Sequence, residues 1–417
     1  MKLRHTFRFY PTPPQVRQLE REFGCARHAY NFALKLRTDS FKAGKPVNYN
    51  ASSRALTVHR SDPKFAWLRK CSCIPQFQSL RHLQTAFSSF FAKRAKYPKF
   101  HTKHGSQSAE YTFNGFKWDP INRNLSITKV GRIKVKWSRS LTSRPTTVTI
   151  TKDCAGRYFV SLCLDECKAP LPKTGLQVGI DLGVARLATL SNGERIANPR
   201  YTARHAVRLA KLQRVLARKV KGSNRWRGQK LRVAKCYAHV ADSRKDYLHK
   251  LTTDLVRRFD VLAIEDLGVR NMVKNHCLAN SISCASFGMF RNMLEYKAAW
   301  YGKEIRVADR FFPSSKRCSV CGHIHEKMPL DVREFDCVAC GAHHDRDENA
   351  AKNILAAGYA VTGRGGCVRP VRATARAGNA RRSVNQPALI RKLWLRPRWM
   401  PICHVLVMAD APGCVSA

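Results

Sequence analysis

Four cysteines, Cys318, Cys321, Cys337 and Cys340, stand as C-x-x-C, fifteen residues, C-x-x-C. Each pair can set two thiolates on one turn, and two such turns facing each other make a tetrahedral sulfur site suited to zinc. Four thiolates close the coordination sphere, so a zinc held there is expected to be structural rather than catalytic. Three carboxylates form a second constellation. Asp181 ends the apolar run in GIDLG, Glu265 ends another in AIEDL, and Asp347 stands where the helical stretch of AHHDRDENAAKNI begins. Singly, each has a plain structural reading, as strand-end polar groups for the first two and a helix N-cap for the third. Jointly, carboxylates at the ends of adjacent strands in an α/β sheet lie in the crevice where such sheets bind ligands. A helix docked on the same sheet could add the third. Hard oxygen donors of this kind suit Mg2+ or Mn2+, and two such ions can activate water and stabilise the leaving oxygen of a phosphodiester displacement.

The elements that must position these groups are read from periodicity. MKLRHTFRFYP alternates Leu3, His5, Phe7 and Phe9 with polar neighbours up to a proline, the period of a half-buried strand. From Gln15 onward, Val16, Leu19, Phe23, Ala26, Tyr30 and Ala33 recur every three to four residues and predict an amphipathic helix. A second helix is expected from Pro75 to Ala92. NLSITKVGRIKVKW and TTVTITKDCAGRYFVSLCL each alternate, break at a glycine-containing turn and alternate again. This predicts a β-rich unit interrupted by a helical insertion. After KAPLPKTG the pattern changes. Two strands around GIDLG, a basic helical stretch from Arg204 to Leu255, the strand DVLAIEDL, the helix MFRNMLEYKAAWYGK and the strand EIRVADRFF alternate as in an α/β domain.

Composition says what the acidic groups are set against. Of 417 residues, 76 are Lys or Arg and 28 are Asp or Glu, a formal net charge of +48. Such a surplus implies a polyanion partner, and nucleic acid fits better than a membrane. No stretch reaches the roughly 18 apolar residues of a membrane span, and the first residues lack the apolar run of a signal peptide. An intracellular protein is therefore expected, whose sixteen cysteines are thiols unless their spacing says otherwise. Carboxylates in so basic a chain make sense if the basic surroundings hold a nucleic-acid backbone and the carboxylates hold the metal that cuts it.

Two basic regions are candidates for that backbone. Arg204, Arg208, Lys211, Arg214, Arg218, Lys219, Lys221, Arg225, Trp226 and Arg227 predict a phosphate-facing helix pair with one aromatic, the alternative being a solvated helical face. Gln76, Gln78, Arg81 and Gln84 lie on the helix expected from Pro75, where amide side chains could read adenine edges in a groove.

GIDLG, AIEDLGVRNM, SISCASFGMFRNMLEYKAAWYG, the cysteine quartet and DRDENAAKNI follow one another in an order that resembles the TnpB proteins of bacterial insertion sequences. FRFYPTPPQVRQL and AFSSFFAKRAKYPKF resemble the family as well, so the likeness runs from about residue 1 to 365. That resemblance implies a relative of the type V CRISPR effectors, an RNA-guided DNA endonuclease whose RuvC-like nuclease has the RNase H fold. By motif match the metal-binding triad is Asp181, Glu265 and Asp347, with Asp345 as second choice in D-x-D-x-N-A. The order Asp, Glu, Asp sets the chain apart from DDE transposases. Cys284 stands where many relatives have Asp.

The resemblance further implies a multidomain α+β fold. Residues 1–11 and 107–172 would form a β-barrel-like, wedge-like domain, and 12–106 a helical recognition insertion that reads a short motif beside the target. Residues 173–308 and 345–375 would form the RuvC-like α/β nuclease domain, and 309–344 an inserted zinc ribbon, with 376–417 a disordered tail. Catalytic Mg2+ or Mn2+, structural Zn2+ and a transposon-derived guide RNA are the implied cofactors. Double-stranded target DNA and a transposase of the same element are the implied partners, in the nucleoid-associated cytoplasm of a prokaryote. The rival readings are an RNA-guided DNA-binding regulator with an idle nuclease and a guide-free zinc-ribbon accessory protein of transposition.

Overall fold

The computed structural model describes residues 2–329 and 331–363. The expected tail at 376–417 lies outside the described residues, as does 364–375 of the expected nuclease domain. The chain forms two compact units, one of residues up to Lys168 together with His205–Val240, the other of Ala169–Arg204 and Ala241 onward. Among the described residues, no helix is long and apolar enough to cross a membrane.

In the first unit the N-terminal strand β1 (Lys2–Phe9) is followed by the helices α1 (Pro13–Lys42) and α2 (Tyr49–Ser61), a 3-10 segment (Pro63–Lys70) and α3 (Cys73–Phe91). Two prolines fill the first turn of α1, where no N–H is missed, and Gln15 turns back to accept from the Thr12 N–H at 3.0 Å. The strands β2 (Gln107–Thr112), β3 (Phe116–Asp119), β4 (Asn124–Ile127), β5 (Gly131–Ile133), β6 (Val135–Lys136), β7 (Thr147–Lys152) and β8 (Tyr158–Asp165) complete the β-rich part. They form a five-stranded antiparallel sheet, β2-β7-β8-β1-β6, and a three-stranded one, β3-β4-β5. The expected barrel is thus two hydrogen-bonded sheets around one core. Phe7 and Phe9 of β1, Val148, Ile150, Val160 and Leu162 of the larger sheet meet Phe116, Leu125 and Ile127 of the smaller there, with Leu19 and Phe23 of α1.

The second unit is built on β9 (Gln177–Asp181), β10 (Arg186–Leu190) and β11 (Arg195–Ala197), after which come α4 (Tyr201–Arg204), α5 (Ala206–Ala217) and α6 (Asn224–Arg258). α5 and the first half of α6 fall within the first unit. β12 (Val261–Glu265), α7 (Val269–Met272), α8 (His276–Ala285), α9 (Phe287–Tyr301) and β13 (Glu304–Ala308) follow, then the short pair β14 (Glu334–Asp336) and β15 (His343–Asp345), and finally α10 (Arg346–Gly363). The sheet order is β11-β10-β9-β12-β13, with β9, β12 and β13 parallel. Val178, Ile180, Leu262 and Ile264 share a core with α6, α8 and α9. Alternation along a strand sends the residues between them to the opposite face, where Ala263 and Ala308 pack with Ile354 and Ala357 of α10.

Candidate active site and zinc centre

The same alternation places the first two carboxylates. Asp181 and Glu265 are two residues beyond Gly179 and Ala263, so both point to the face that α10 covers. β9 and β12 run parallel with Ile180 level with Ile264, so the next residue on each, Asp181 and Glu265, comes to the same level at the strands' carboxyl ends. α10 lies directly on Gly179, whose missing side chain admits the helix backbone. Asp347, the second residue of α10, is thereby carried to the mouth of the crevice.

Of the two aspartates in the DRDEN run, Asp345 caps the helix. Its Oδ1 accepts from the N–H groups of Asp347 and Glu348 at 3.0 Å each, and its Oδ2 from Arg195 at 2.7 Å. Asp347, read from sequence as a possible cap, is released from that work. Its nearest cations are looser, Arg333 at 3.7 Å and Arg186 at 3.8 Å. Burial, then the charges of Glu265 and Asp347, push the Asp181 carboxyl up to about 7. Burial raises Glu265 too, against the opposing hydrogen bond from Ser314. A buried carboxyl whose ionisation is opposed by two neighbouring carboxylates makes a site where positive charge is in demand.

Sequence reading missed the residues that frame this site. Ser314 donates to Glu265 Oε1. Asp266, beside Glu265, accepts from Arg291 and from Arg310 at 2.5 Å each, which anchors the loop leaving β12. Asn349 and Asn353, four residues apart in NAAKN, carry a spacing signal of their own, beside the more conspicuous carboxylates. Cys284 lies on α8 and donates to Asn280 Oδ1 at 3.5 Å.

The cysteines converge as their spacing predicts. Their sulfurs lie within 4.8 Å of one another, with Cys318 to Cys340 at 3.7 Å and Cys321 to Cys337 at 3.6 Å. Sulfur–zinc bonds of about 2.3 Å in a tetrahedron require sulfurs about 3.8 Å apart, so the donor set fits zinc. Among the described residues, these four cysteines are the one group of His, Cys, Asp or Glu side chains gathered so as to hold a metal ion. The two knuckles match. Gly322 N–H bonds Cys318 O at 3.0 Å and Gly341 N–H bonds Cys337 O at 2.7 Å, and both glycines take the positive φ that ends such a turn. Burial opposes ionisation of Cys318, but the N–H groups of Cys321 and Val320 and the ring of His344, 3.1 Å away, bring its thiol down to about 5.

The nucleic-acid candidates divide. Gln76 is fully buried and donates to Leu68 O at 2.9 Å and Ser72 O at 3.1 Å, so it cannot read a groove. The reason is periodicity, which sets Gln76 on the face of α3 that carries Leu80, Leu83 and Phe87. Arg81 is exposed, Gln78 half-buried, and Gln84 accepts from Arg37 at 2.8 Å. Arg214, Arg218 and Arg225 are exposed, while Lys219 and Trp226 are half-buried, Trp226 beneath the Lys230 ammonium at 5.0 Å. Gln229 ties α6 to α5 through Leu212 O at 2.9 Å. The segment His205–Val240 contains no Asp or Glu, so this hairpin is uniformly basic.

Comparison with known proteins adds three findings. The OrfB_IS605 family profile, described as "Probable transposase", matches residues 157–276, that of the "Cas12f1-like, TNB domain" residues 287–354, and the helix-turn-helix profile of the OrfB family residues 1–46. A Streptomyces pristinaespiralis protein named "Putative RNA-guided DNA endonuclease" is 49% identical over 385 residues, covering 91% of this chain and 94% of its own. "Putative RNA-guided DNA endonuclease InsQ" of Escherichia coli (strain K12) is 33% identical over 380 residues, covering 87% and 94%. Among solved structures, the Cas12f1 of a Cas12f1-sgRNA-target DNA complex superposes with a TM-score of 0.54 over 82% of each chain at 15% identity, a likeness of fold.

Proposed function

Because the chain belongs to the OrfB, or TnpB-like, family of RNA-guided DNA endonucleases, we propose that it cuts DNA chosen by a bound guide RNA, using Asp181, Glu265 and Asp347 as ligands for Mg2+ or Mn2+. In this reading the sheet and helices of the second unit are a RuvC-like nuclease, and the four cysteines hold a structural zinc in a ribbon inserted within it. The observation that carries it is the meeting of Asp181 and Glu265 at the ends of adjacent parallel strands, with Asp347 brought in by α10.

The residues divide the work. Guide pairing selects the target, and the protein supplies backbone grip, recognition of an adjacent motif, and cleavage. Arg214, Arg218, Lys219, Arg225 and Trp226 offer phosphate and stacking contacts, and Arg81 and Gln78 remain the candidates on α3 for the motif. Asp345 fixes the start of α10, and Arg186 spans Asp345 and Asp347 at 3.6 and 3.8 Å. The chemistry that a bound divalent cation supplies is activation of water and neutralisation of charge developing on the phosphodiester. Removing Asp181 leaves the binding surfaces untouched and deprives the site of its most enclosed ligand.

The test is to express the protein beside its native flanking DNA, sequence the RNA that co-purifies, and challenge the complex with a matching duplex. A discrete RNA with a constant scaffold and a variable end, and Mg2+-dependent cutting that Asp181→Ala abolishes without loss of DNA binding, is expected. Heterogeneous RNA, or full cutting by Asp181→Ala, would overturn the reading.

A further inference from the structure

Glu265 is linked through hydrogen bonds to the zinc knuckle. Ser314, buried, donates its hydroxyl to Glu265 Oε1. The Ser314 carbonyl accepts from Asn353 Nδ2 at 2.9 Å, and the same amide donates to Arg317 O at 2.5 Å. One turn earlier on α10, Asn349 Nδ2 donates to Arg317 O at 2.7 Å, while its Oδ1 accepts from the Ser319 N–H at 2.8 Å. Arg317 and Ser319 flank Cys318, the first of the four cysteines. The two amides lie one helical turn apart on one face of α10 and are 1% and 3% exposed. Burial of such groups is tolerated only where their bonds are made. Asparagine is required rather than aspartate, because Asn349 both donates and accepts.

We propose that Ser314 is a positioning residue for Glu265, and that the zinc-bound knuckle, tied to α10 by Asn349 and Asn353, holds it in place. The inference rests on the reading of Glu265 as a metal ligand. By occupying Oε1, Ser314 sets the rotation of the carboxylate and leaves Oε2 as the oxygen presented to a cation. Asp347 stands at the head of the same helix, so the two amides also fix the separation of Asp347 from Glu265. A ribbon that looks peripheral in sequence therefore belongs to the support of the carboxylate site.

The test uses the full-length protein in complex with its RNA. Mn2+ affinity is measured by titration calorimetry, together with the Mg2+ concentration that gives half-maximal cutting. Ser314→Ala is expected to weaken Mn2+ binding about tenfold and to raise the half-saturating Mg2+ by a similar factor, the usual size of such support. Ser314→Thr, which keeps the hydroxyl, should restore both. Asn349→Leu, which loses both bonds at similar volume, should reproduce the defect while retaining zinc. Should Ser314→Ala fail to fold, Ser314→Cys takes its place. Unchanged Mn2+ affinity in a folded Ser314 variant would overturn the proposal. Asp181→Ala separates the two readings. If it too binds Mn2+ normally, the carboxylate site itself is misassigned; if it loses Mn2+ while Ser314→Ala does not, only the positioning role fails.

Discussion

Gly179 of β9 lies so close beneath α10 that a Cβ built on it would stand 2.0 Å from the carbonyl oxygen of Ala351. The backbone there is ordinary strand, so this glycine serves close approach rather than a turn. Contact at that distance with a backbone atom cannot be relieved by a side-chain rotation. Gly179→Ala should therefore lift α10 and Asp347 with it, costing about 3 kcal/mol of stability and slowing cutting about a hundredfold. Gly358→Ala is the comparison, since the nearest atoms to its Cβ would be side-chain carbons, the Cβ atoms of Arg306 and Ala263 at 3.1 and 3.2 Å and Arg306 Cδ at 3.7 Å. It should lose less on both counts. Equal urea midpoints for the two variants would show that α10 does not depend on the Gly179 contact.

The Asp181 carboxyl gives a pH prediction for the metal-free protein. Its folded value is raised from 3.8 to about 7, by burial first and by Glu265 and Asp347 next. A raised acid holds its proton longer in the folded state than in the unfolded one. Its contribution to stability is then full below about pH 4 and is lost as pH rises through about 7. Asp181→Asn, which cannot ionise, should flatten that part of the profile. The difference between the two proteins, followed by thermal unfolding from pH 4 to pH 8, should grow to a few kcal/mol at most. Mn2+ should recover stability in the wild type at pH 8 and do little at pH 5, where the ligand is protonated. A difference that stays flat across this window would sink the account of the site's electrostatics.

Zinc removal should act on structure before chemistry. The four sulfurs already stand at separations suited to one ion, so the protein should purify with zinc, and Cys337→Ser should lose it. Hydrogen exchange would then quicken across the two knuckles, as expected where metal binding is folding free energy. Exchange unchanged after complete zinc removal would mean that the knuckles stand without metal.

Much of this was legible in the sequence because it rests on local pattern. The apolar runs in QVGID and VLAIE mark buried strands ending in carboxylates, and C-x-x-C spacing reports a sulfur site without knowledge of the fold. What escaped was set by packing between distant segments. Whether Asp345 or Asp347 caps α10 depends on which carboxylate meets Arg195 in β11, and the residue types of the DRDEN run are compatible with either. Gln76 read as a surface amide because glutamines usually are, although its place one turn before Leu80 was a warning. Ser314, Asn349 and Asn353 are ordinary polar residues whose importance appears only when the knuckle and α10 are seen to share Arg317 O.

The basic hairpin gives the last prediction, which concerns salt rather than rate. Arg214 and Arg218 are exposed in a segment without acids, so their charge is available to a phosphate. Each true phosphate contact releases about one counterion, and its loss lowers the slope of log affinity against log salt by roughly 0.7 to 0.9. Arg214→Gln and Arg218→Gln should each flatten guide-RNA binding by about that amount and weaken all sequences alike. Arg258 is the control, because its guanidinium is already engaged by Glu194 at 2.5 Å and Asp254 at 3.1 Å. Arg258→Gln should disturb the second unit yet leave the salt slope as it was. If the hairpin variants behave like Arg258→Gln, their charges face solvent, and the backbone contacts must be sought elsewhere on the chain.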